Sequence, residues 1–168
     1  MSWALKILSQ NQSVQNKLRA AVDAVFGTED FDQNTAGKYI ATASIPYLDA
    51  FIEEVLRFCQ IVPGVSRVAV VDAVIFGHLI PRGTEVFFLQ NGGAILEPTL
   101  PVSESSRSAS SQNNKDKMCN WNDKDISEFI PERWLTTDAA GVVAFDRTAG
   151  PALPFAAGIR GCFGKPPI

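Results

Sequence analysis

The sequence predicts an α+β fold of two or three helices, a small β-sheet with hairpins, and an irregular meander that ends in a cysteine loop. Apolar residues recur at helical spacing in two stretches of the first 60 residues. β-Branched and aromatic residues fill positions 65–90, where turn residues interrupt them. From residue 129 onward, prolines and glycines punctuate a stretch with few regular signals. We therefore expect helices first, strands second and an extended segment last.

Length and composition are those of one globular domain. The chain has 168 residues, 46% of them hydrophobic, and a net charge of −3. This charge and the lack of a basic stripe argue against binding to nucleic acid. Three widely spaced cysteines and one histidine predict neither a disulfide framework nor a zinc site. We find no membrane anchor or signal peptide in the sequence, which leaves the localisation unknown.

Residues 1–27 are predicted to be helical. An apolar stripe at i, i+4, i+7 and i+8 spacing begins at Val14, with Ser13 as a candidate N-cap and Gly27 as the stop. The following residues, 29–43, are polar, and we interpret them as a loop with a short helical turn.

A second helix is predicted over residues 44–60, with Ser44 as a candidate cap and Pro46 in the first turn. Glu54 and Arg57 lie three residues apart, on the side away from the apolar positions. Taken alone, they are a solvated ion pair that contributes about 0.2–0.5 kcal/mol. The apolar face is formed by Leu48, Phe51, Ile52, Val55 and Cys59.

Residues 65–90 are predicted to form short strands and hairpins, broken at residues 72–73 and 81–83. Arg67 lies in the first strand, where an outward-facing arginine is the plain interpretation. His78 lies at a hairpin end, and we expect it to be exposed and uninvolved.

Two further segments complete the chain. Residues 103–117 are rich in Ser, Asn, Gln and Lys, so we expect a mobile surface loop. Residues 129–164 are expected to form the meander and the cysteine loop.

The cysteine loop carries the strongest chemical signal. Its glycines permit positive φ angles and a close approach of the backbone to another group. Backbone N–H groups and Arg160 could therefore stabilise a thiolate at Cys162, and Phe155 and Phe163 would shield it. Such a thiolate suits a soft metal ligand. Three glycines lie within seven residues: Gly158, Gly161 and Gly164.

The pattern Phe155-x-x-Gly158-x-Arg160-x-Cys162-x-Gly164 resembles the haem-binding signature of the cytochrome P450 family, the haem-thiolate monooxygenases. The resemblance implies that Cys162 is the axial ligand of haem b iron and that Arg160 pairs with a haem propionate. Arg67 matches a second propionate-binding arginine of the family. Ala156 departs from the pattern, because many members have glycine or a small polar residue there. A glycine-rich surface loop with a chance cysteine is the alternative.

Two other segments extend the resemblance. Residues 47–57 are similar to the family's Glu-x-x-Arg helix, and Pro131–Trp134 to its partner motif. By resemblance, Glu54, Arg57 and Arg133 form a buried charge cluster that fixes the segment beneath the haem. That role is structural, because two guanidiniums can satisfy a buried carboxylate.

The resemblance covers nearly the whole chain but only about the last third of a family member, and the long polar loop is similar to fungal members. It implies haem-dependent insertion of one oxygen atom from O₂ into a small lipophilic substrate, with electrons from an NADPH-dependent flavin reductase. The cysteine thiolate would favour O–O cleavage. Eukaryotic members usually reside at the endoplasmic-reticulum membrane.

Two alternatives to an active oxygenase stay open. Because the family's oxygen-activating helix has no counterpart in this sequence, we assign no catalytic residue and expect no competent monooxygenase from the chain alone. A truncated, inactive fragment is therefore the alternative function. A hydrolase that uses Cys162 and His78 is weaker, because nothing in the sequence places the two together.

Overall fold

The computed structural model describes residues 2–27, 37, 40–60, 62–115, 119–152, 154–156 and 161–164. Its α-helices are α1 (Ser2–Gln10), α2 (Gln12–Phe26), α3 (Pro46–Phe58) and α4 (Ala109–Asn114). Its strands are β1 (Gly64–Val68), β2 (Ala73–Ile75), β3 (His78–Ile80), β4 (Glu85–Leu89), β5 (Leu135–Thr137) and β6 (Val143–Phe145). The predicted α+β architecture of a few helices and small antiparallel sheets is confirmed.

The chain divides into two compact units. The first unit comprises Met1–Leu56 and Phe129–Arg147, and the second comprises Arg57–Glu128 and Thr148–Ile168. Within the described part of the chain, no helix combines the length and the apolar character needed to cross a membrane.

Helix α2 starts two residues earlier than a Ser13 cap would place it. Asn11 holds the N-cap position, and its carbonyl accepts the backbone N–H of Gln15 at 3.0 Å. The Ser13 prediction was therefore wrong, because the helix already includes that residue. Gly27 ends the helix as expected, with a φ of 70° and a backbone N–H that donates to the Asp23 carbonyl at 2.8 Å.

Helix α3 begins at Pro46, whose missing N–H costs nothing in a first turn. The carbonyl that accepts the first helical N–H groups belongs to Ile45, so Ile45 and not Ser44 precedes the helix. The buried residues of α3 are Ala50, Phe51, Glu54 and Arg57, which lie at i, i+1, i+4 and i+7 on one side of the helix. Ile52, which the sequence placed on the apolar face, is 45% exposed.

The rest of the first unit packs around Trp134. A 3-10 helix, Pro131–Trp134, leads into the antiparallel ribbon of β5 and β6. The Trp134 ring lies 6.5 Å from the Phe145 ring, and Phe51 meets Phe129 edge-to-face at 5.9 Å. The ribbon lies inside the predicted meander and was not predicted. Its turn is closed by the Asp138 carboxylate, which accepts the backbone N–H groups of Ala140 and Val142.

The second unit contains two further antiparallel ribbons, β1 with β4 and β2 with β3. The strands predicted over residues 65–90 are therefore present, with an additional break at Phe76-Gly77. Both of these residues have positive φ, 49° and 81°, as a two-residue hairpin turn requires. Several strand side chains are more than half exposed: Val68, Val74, Leu79, Phe87 and Leu89.

The segment predicted as a loop over residues 103–117 contains a 3-10 turn, Glu104–Ser106, and the helix α4. The Ser108 hydroxyl caps α4 by accepting the Ser111 backbone N–H at 3.3 Å. Glu104 forms ion pairs with Arg107 at 3.5 Å and Lys115 at 3.3 Å. The loop prediction was wrong for these residues, because polar side chains satisfy the helical backbone locally. Residues 116 and 117 lie outside the described part, as do most of residues 29–43.

Candidate functional site

The cysteine loop is closed by one backbone hydrogen bond. The N–H of Cys162 donates to the carbonyl of Phe155 at 2.8 Å, which joins the two ends of the motif. Ala156 follows Phe155 with a φ of 54°, in the left-handed region that glycine adopts more readily. The departure from the family pattern at Ala156 is therefore a residue with a side chain at a position that favours glycine.

The surroundings of the Cys162 sulfur are open. Cys162 is exposed, and a Cβ added to Gly164 would lie 3.8 Å from its Sγ, an ordinary van der Waals contact. Phe155 is partly buried, whereas the side chain of Phe163 is fully exposed. Because Cys162 is itself exposed, the described residues of the loop do not show the predicted shielding of its sulfur by Phe163. Gly158 and Arg160 lie outside the described residues.

The residues of the cysteine loop fit a haem group in one respect, because they present a single accessible sulfur ligand. A porphyrin supplies four nitrogens to its iron, so the protein needs to offer one soft ligand on one side. Cys162 offers an accessible sulfur beside a residue without a side chain, so a flat ring could approach it. Among the described residues, no group of three or more His, Cys, Asp or Glu could hold a metal ion.

Four further residues of the second unit that the sequence singled out are exposed or only partly buried. Arg67 is exposed on β1, where its Nη1 donates to the carbonyl of Ser66 at 2.7 Å. His78 is exposed and pairs with Ile75 in the β2–β3 ribbon, as expected. Cys59 is partly buried and Cys119 is exposed. The propionate role of Arg67 stays a prediction.

The first unit brings Glu54 and Arg133 together in a buried polar site. Glu54 is fully buried, and its Oε1 accepts the Ile130 backbone N–H at 2.9 Å and Arg133 Nε at 3.1 Å. Its Oε2 accepts the indole N–H of Trp134 at 2.8 Å. The Arg133 side chain is 7% exposed. These donors satisfy a carboxylate that burial would otherwise destabilise.

Arg57 is fully buried in the second unit and binds backbone carbonyls. Its Nη1 donates to the carbonyls of Ile95 and Ile126, and its Nη2 donates to that of Glu128 at 3.0 Å. The guanidinium also lies 5.6 Å from the Trp121 ring centroid. A guanidinium suits this site because its planar fork can reach several acceptors at once. No pattern in the sequence indicated these carbonyl partners.

A second polar site in the first unit was also missed. Glu132 Oε1 accepts both Lys17 Nζ at 2.5 Å and the Tyr47 hydroxyl at 3.1 Å. Burial, the charge of Glu132 and its hydrogen bond raise the pKa of Tyr47 well above its usual value. Burial opposes ionisation of Glu132, but the bonds from Lys17 and Tyr47 hold its pKa below 4.5. Tyr47 lies seven residues before Glu54, a spacing that puts both on one face of a helix.

Comparisons with family models, known proteins and solved structures all identify the same family. The family model of cytochrome P450 matches residues 1–92. Cytochrome P450 monooxygenases from Pestalotiopsis microspora and Fusarium sporotrichioides are 41% and 42% identical over 98% and 97% of this chain. One from Dothistroma septosporum is 36% identical over 98% of it. A solved zebra fish cytochrome P450 with progesterone covers 97% of the chain at 24% identity and a TM-score of 0.55, which shows the fold alone.

The chain spans part of each of these proteins. It covers 29%, 30% and 56% of the three fungal relatives and 29% of the zebra fish chain. The helices and small antiparallel sheets described above therefore correspond to part of the cytochrome P450 fold. With a family match over more than half of its residues and fungal relatives along nearly its whole length, the chain belongs to the cytochrome P450 family.

Proposed function

We propose that the chain binds haem through Cys162 and serves the monooxygenase chemistry of its family. The observation that carries this proposal is the accessible sulfur of Cys162, held in a loop closed at Phe155 and flanked by Gly164. Cys59 and Cys119 lack this setting, because neither belongs to a glycine-rich loop.

Bound haem would supply reductive activation of O₂ and insertion of one oxygen atom into a small lipophilic substrate, with electrons from an NADPH-dependent flavin reductase. The chain's own residues would hold and orient the group. Cys162 would coordinate the iron as a thiolate, and Arg67 and Arg160 would pair with the propionates, as the family motif implies. Gly164 would leave room for the ring, because any larger side chain there would stand beside the sulfur.

Glu54, Arg57 and Arg133 would hold the backbone of this part of the fold. Each is nearly or fully buried, and the partners described above include backbone groups as well as side chains. Such residues act on structure and not on substrate, so we propose no catalytic role for them.

Haem titration followed by the spectrum of the reduced carbon monoxide complex tests the axial ligand. Cys162→Ser should abolish the thiolate signature, whereas Cys59→Ser and Cys119→Ser should retain it. An unchanged spectrum in Cys162→Ser would refute the assignment. Arg67→Gln should weaken haem affinity several-fold without changing the signature, and Arg82→Gln, which alters another exposed arginine of the same ribbons, is its matched control.

A second candidate is haem binding without coupled oxygenation. Exposure of Cys162 and Phe163 favours it, because water beside an iron-bound thiolate weakens the electron donation that favours O–O cleavage. The chain, haem, a flavin reductase and NADPH should then release peroxide without substrate oxidation. Product formation that is lost in Cys162→Ser would favour the monooxygenase instead.

A further inference from the structure

The four-residue turn Pro131–Trp134 contacts helix α3 at two separate places. Arg133 and Trp134 donate to Glu54, and Glu132 accepts from Tyr47. Tyr47 and Glu54 are seven residues apart, which corresponds to about two helical turns and about 10 Å along the axis. The turn is therefore held along a length of α3 and not at a single point.

The two attachments use different sides of the turn. In a 3-10 helix, successive side chains are about 120° apart, so Glu132 leaves the turn in a different direction from Arg133. A rotation of the turn about its own axis would break one attachment or the other. The pair of attachments therefore fixes the orientation in which the Trp134 indole reaches Glu54.

Helix α2 joins this arrangement through the same oxygen atom. Lys17 Nζ and the Tyr47 hydroxyl share Glu132 Oε1, so the position of that oxygen depends on both helices. The side chains of Lys17 and Glu132 are 57% and 37% exposed, so the ion pair by itself is weak. The ion pair matters because it helps to hold Glu132 Oε1 in place, and this atom of the turn is bound by both α2 and α3.

We propose that Glu132 is a positioning residue that links α2 to the Glu54 site, so that the hydrogen bond from Trp134 to Glu54 depends on Lys17 and Tyr47. Lys17 supplies the cation, Tyr47 supplies a neutral donor from α3, and Glu132 transmits both contacts to the adjacent Arg133 and Trp134. A displacement of α2 would then loosen the bonds at Glu54 through Glu132.

Hydrogen exchange of the Trp134 indole N–H, followed by NMR in the full chain, tests this link. Trp121 provides an internal reference, because its indole N–H donates to the Pro151 carbonyl within the other unit. Lys17→Met and Tyr47→Phe should each accelerate exchange at Trp134 roughly two- to fivefold and leave Trp121 unchanged. Lys6→Met, which removes an exposed lysine from α1, is the matched control and should change neither.

A charge exchange separates the link from loss of folding. Lys17→Glu and Glu132→Lys should each accelerate exchange at Trp134, and the double variant should return towards the wild-type rate. Equal acceleration at Trp121 and Trp134 in every variant would show general destabilisation and overturn the proposal. Unchanged exchange at Trp134 in Lys17→Met and Tyr47→Phe would overturn it as well.

Discussion

At Glu54, two carboxylate oxygens accept hydrogen bonds from a backbone N–H, a guanidinium and an indole. The carboxylate lies out of contact with water, because Glu54 is fully buried. Removal of the carboxylate would take away the acceptor that Glu54 offers to the Arg133 guanidinium and the Trp134 N–H. Breaking a buried charge pair costs more than losing a surface ion pair.

We therefore expect Glu54→Ala to lower the free energy of unfolding by about 3–5 kcal/mol, measured by urea denaturation. Glu53→Ala is the matched control on the same helix. Its carboxylate is partly exposed and lies 3.8 Å from Arg147 Nε, so we expect a loss of about 1 kcal/mol or less. Equal losses in the two variants would contradict the structural role of Glu54.

The lowered pKa of Glu132 predicts that the free energy of unfolding depends on pH in the acidic range. Burial disfavours its charge, but the bonds from Lys17 and Tyr47 outweigh burial and hold its pKa below 4.5 in the folded chain. A lowered pKa stabilises the fold above pH 4.5, and this contribution is lost as the pH falls through the folded-state value. The difference in unfolding free energy between wild type and Glu132→Gln should shrink accordingly below pH 4.5.

A double-variant series checks that Lys17 is part of this effect. Lys17→Met should reduce the acid dependence in wild type and have no such effect in the Glu132→Gln background. An acid dependence that survives unchanged in Glu132→Gln would assign it to another group.

Among the structural elements, the turn after Phe155 has an unfavourable backbone conformation at Ala156. Ala156 adopts a φ of 54°, which costs a residue with a Cβ about 1 kcal/mol or more relative to glycine. Ala156→Gly should therefore stabilise the cysteine loop by about 1 kcal/mol and raise haem affinity, measured by titration. Ala152→Gly, at a nearby residue without positive φ, is the control and should be neutral or destabilising. Weaker haem binding in Ala156→Gly would contradict this account.

Helix α3 shows where prediction from the sequence stops. Its existence follows from periodicity and from Pro46, but the periodic apolar residues indicate only part of the buried face, because Phe51 is buried and Ile52 is exposed. Glu54 and Arg57 are buried with partners from residues 95–134, and periodicity carries no information about partners so distant in sequence. Only the resemblance to a family motif indicated that these charges are buried.

The cysteine loop and the polar segment of residues 103–117 also differ in how well the sequence predicts them. The glycines and Cys162 were recognisable because the chemistry of the site requires those residue types in a short stretch. Helix α4 was not recognisable, because its polar composition resembles that of a disordered segment. The helix is supported by the cap at Ser108 and by the ion pair between Arg107 and Glu104 just before it. Such contacts depend on where the side chains lie, and composition alone does not reveal that.

At the scale of the whole molecule, the exposed apolar side chains of the ribbons predict self-association in solution. Val74 and Leu79 face each other across β2 and β3 and are 68% and 66% exposed. Large exposed apolar surfaces favour association. We expect concentration-dependent oligomers in sedimentation velocity. The double variant Val74→Lys with Leu79→Glu should reduce these oligomers, and its opposite charges should preserve the hairpin. The control Ser110→Lys, at another exposed residue, should leave the oligomers unchanged. A monomer at all concentrations would contradict the expectation.

The carbonyls that Arg57 holds come from two places, Ile95 on one side and Ile126 and Glu128 on the other. About thirty residues run between these two places, and Arg57 closes them into a loop at its base. The entropy of closing a flexible loop changes slowly with its length, by about 0.6 kcal/mol for each doubling. Insertions or deletions between Ile95 and Trp121, whose ring lies beside the Arg57 guanidinium, would therefore cost little loop entropy and leave the anchored ends where they are. Fixing the base in this way makes the interval a permissive site for length variation among related chains.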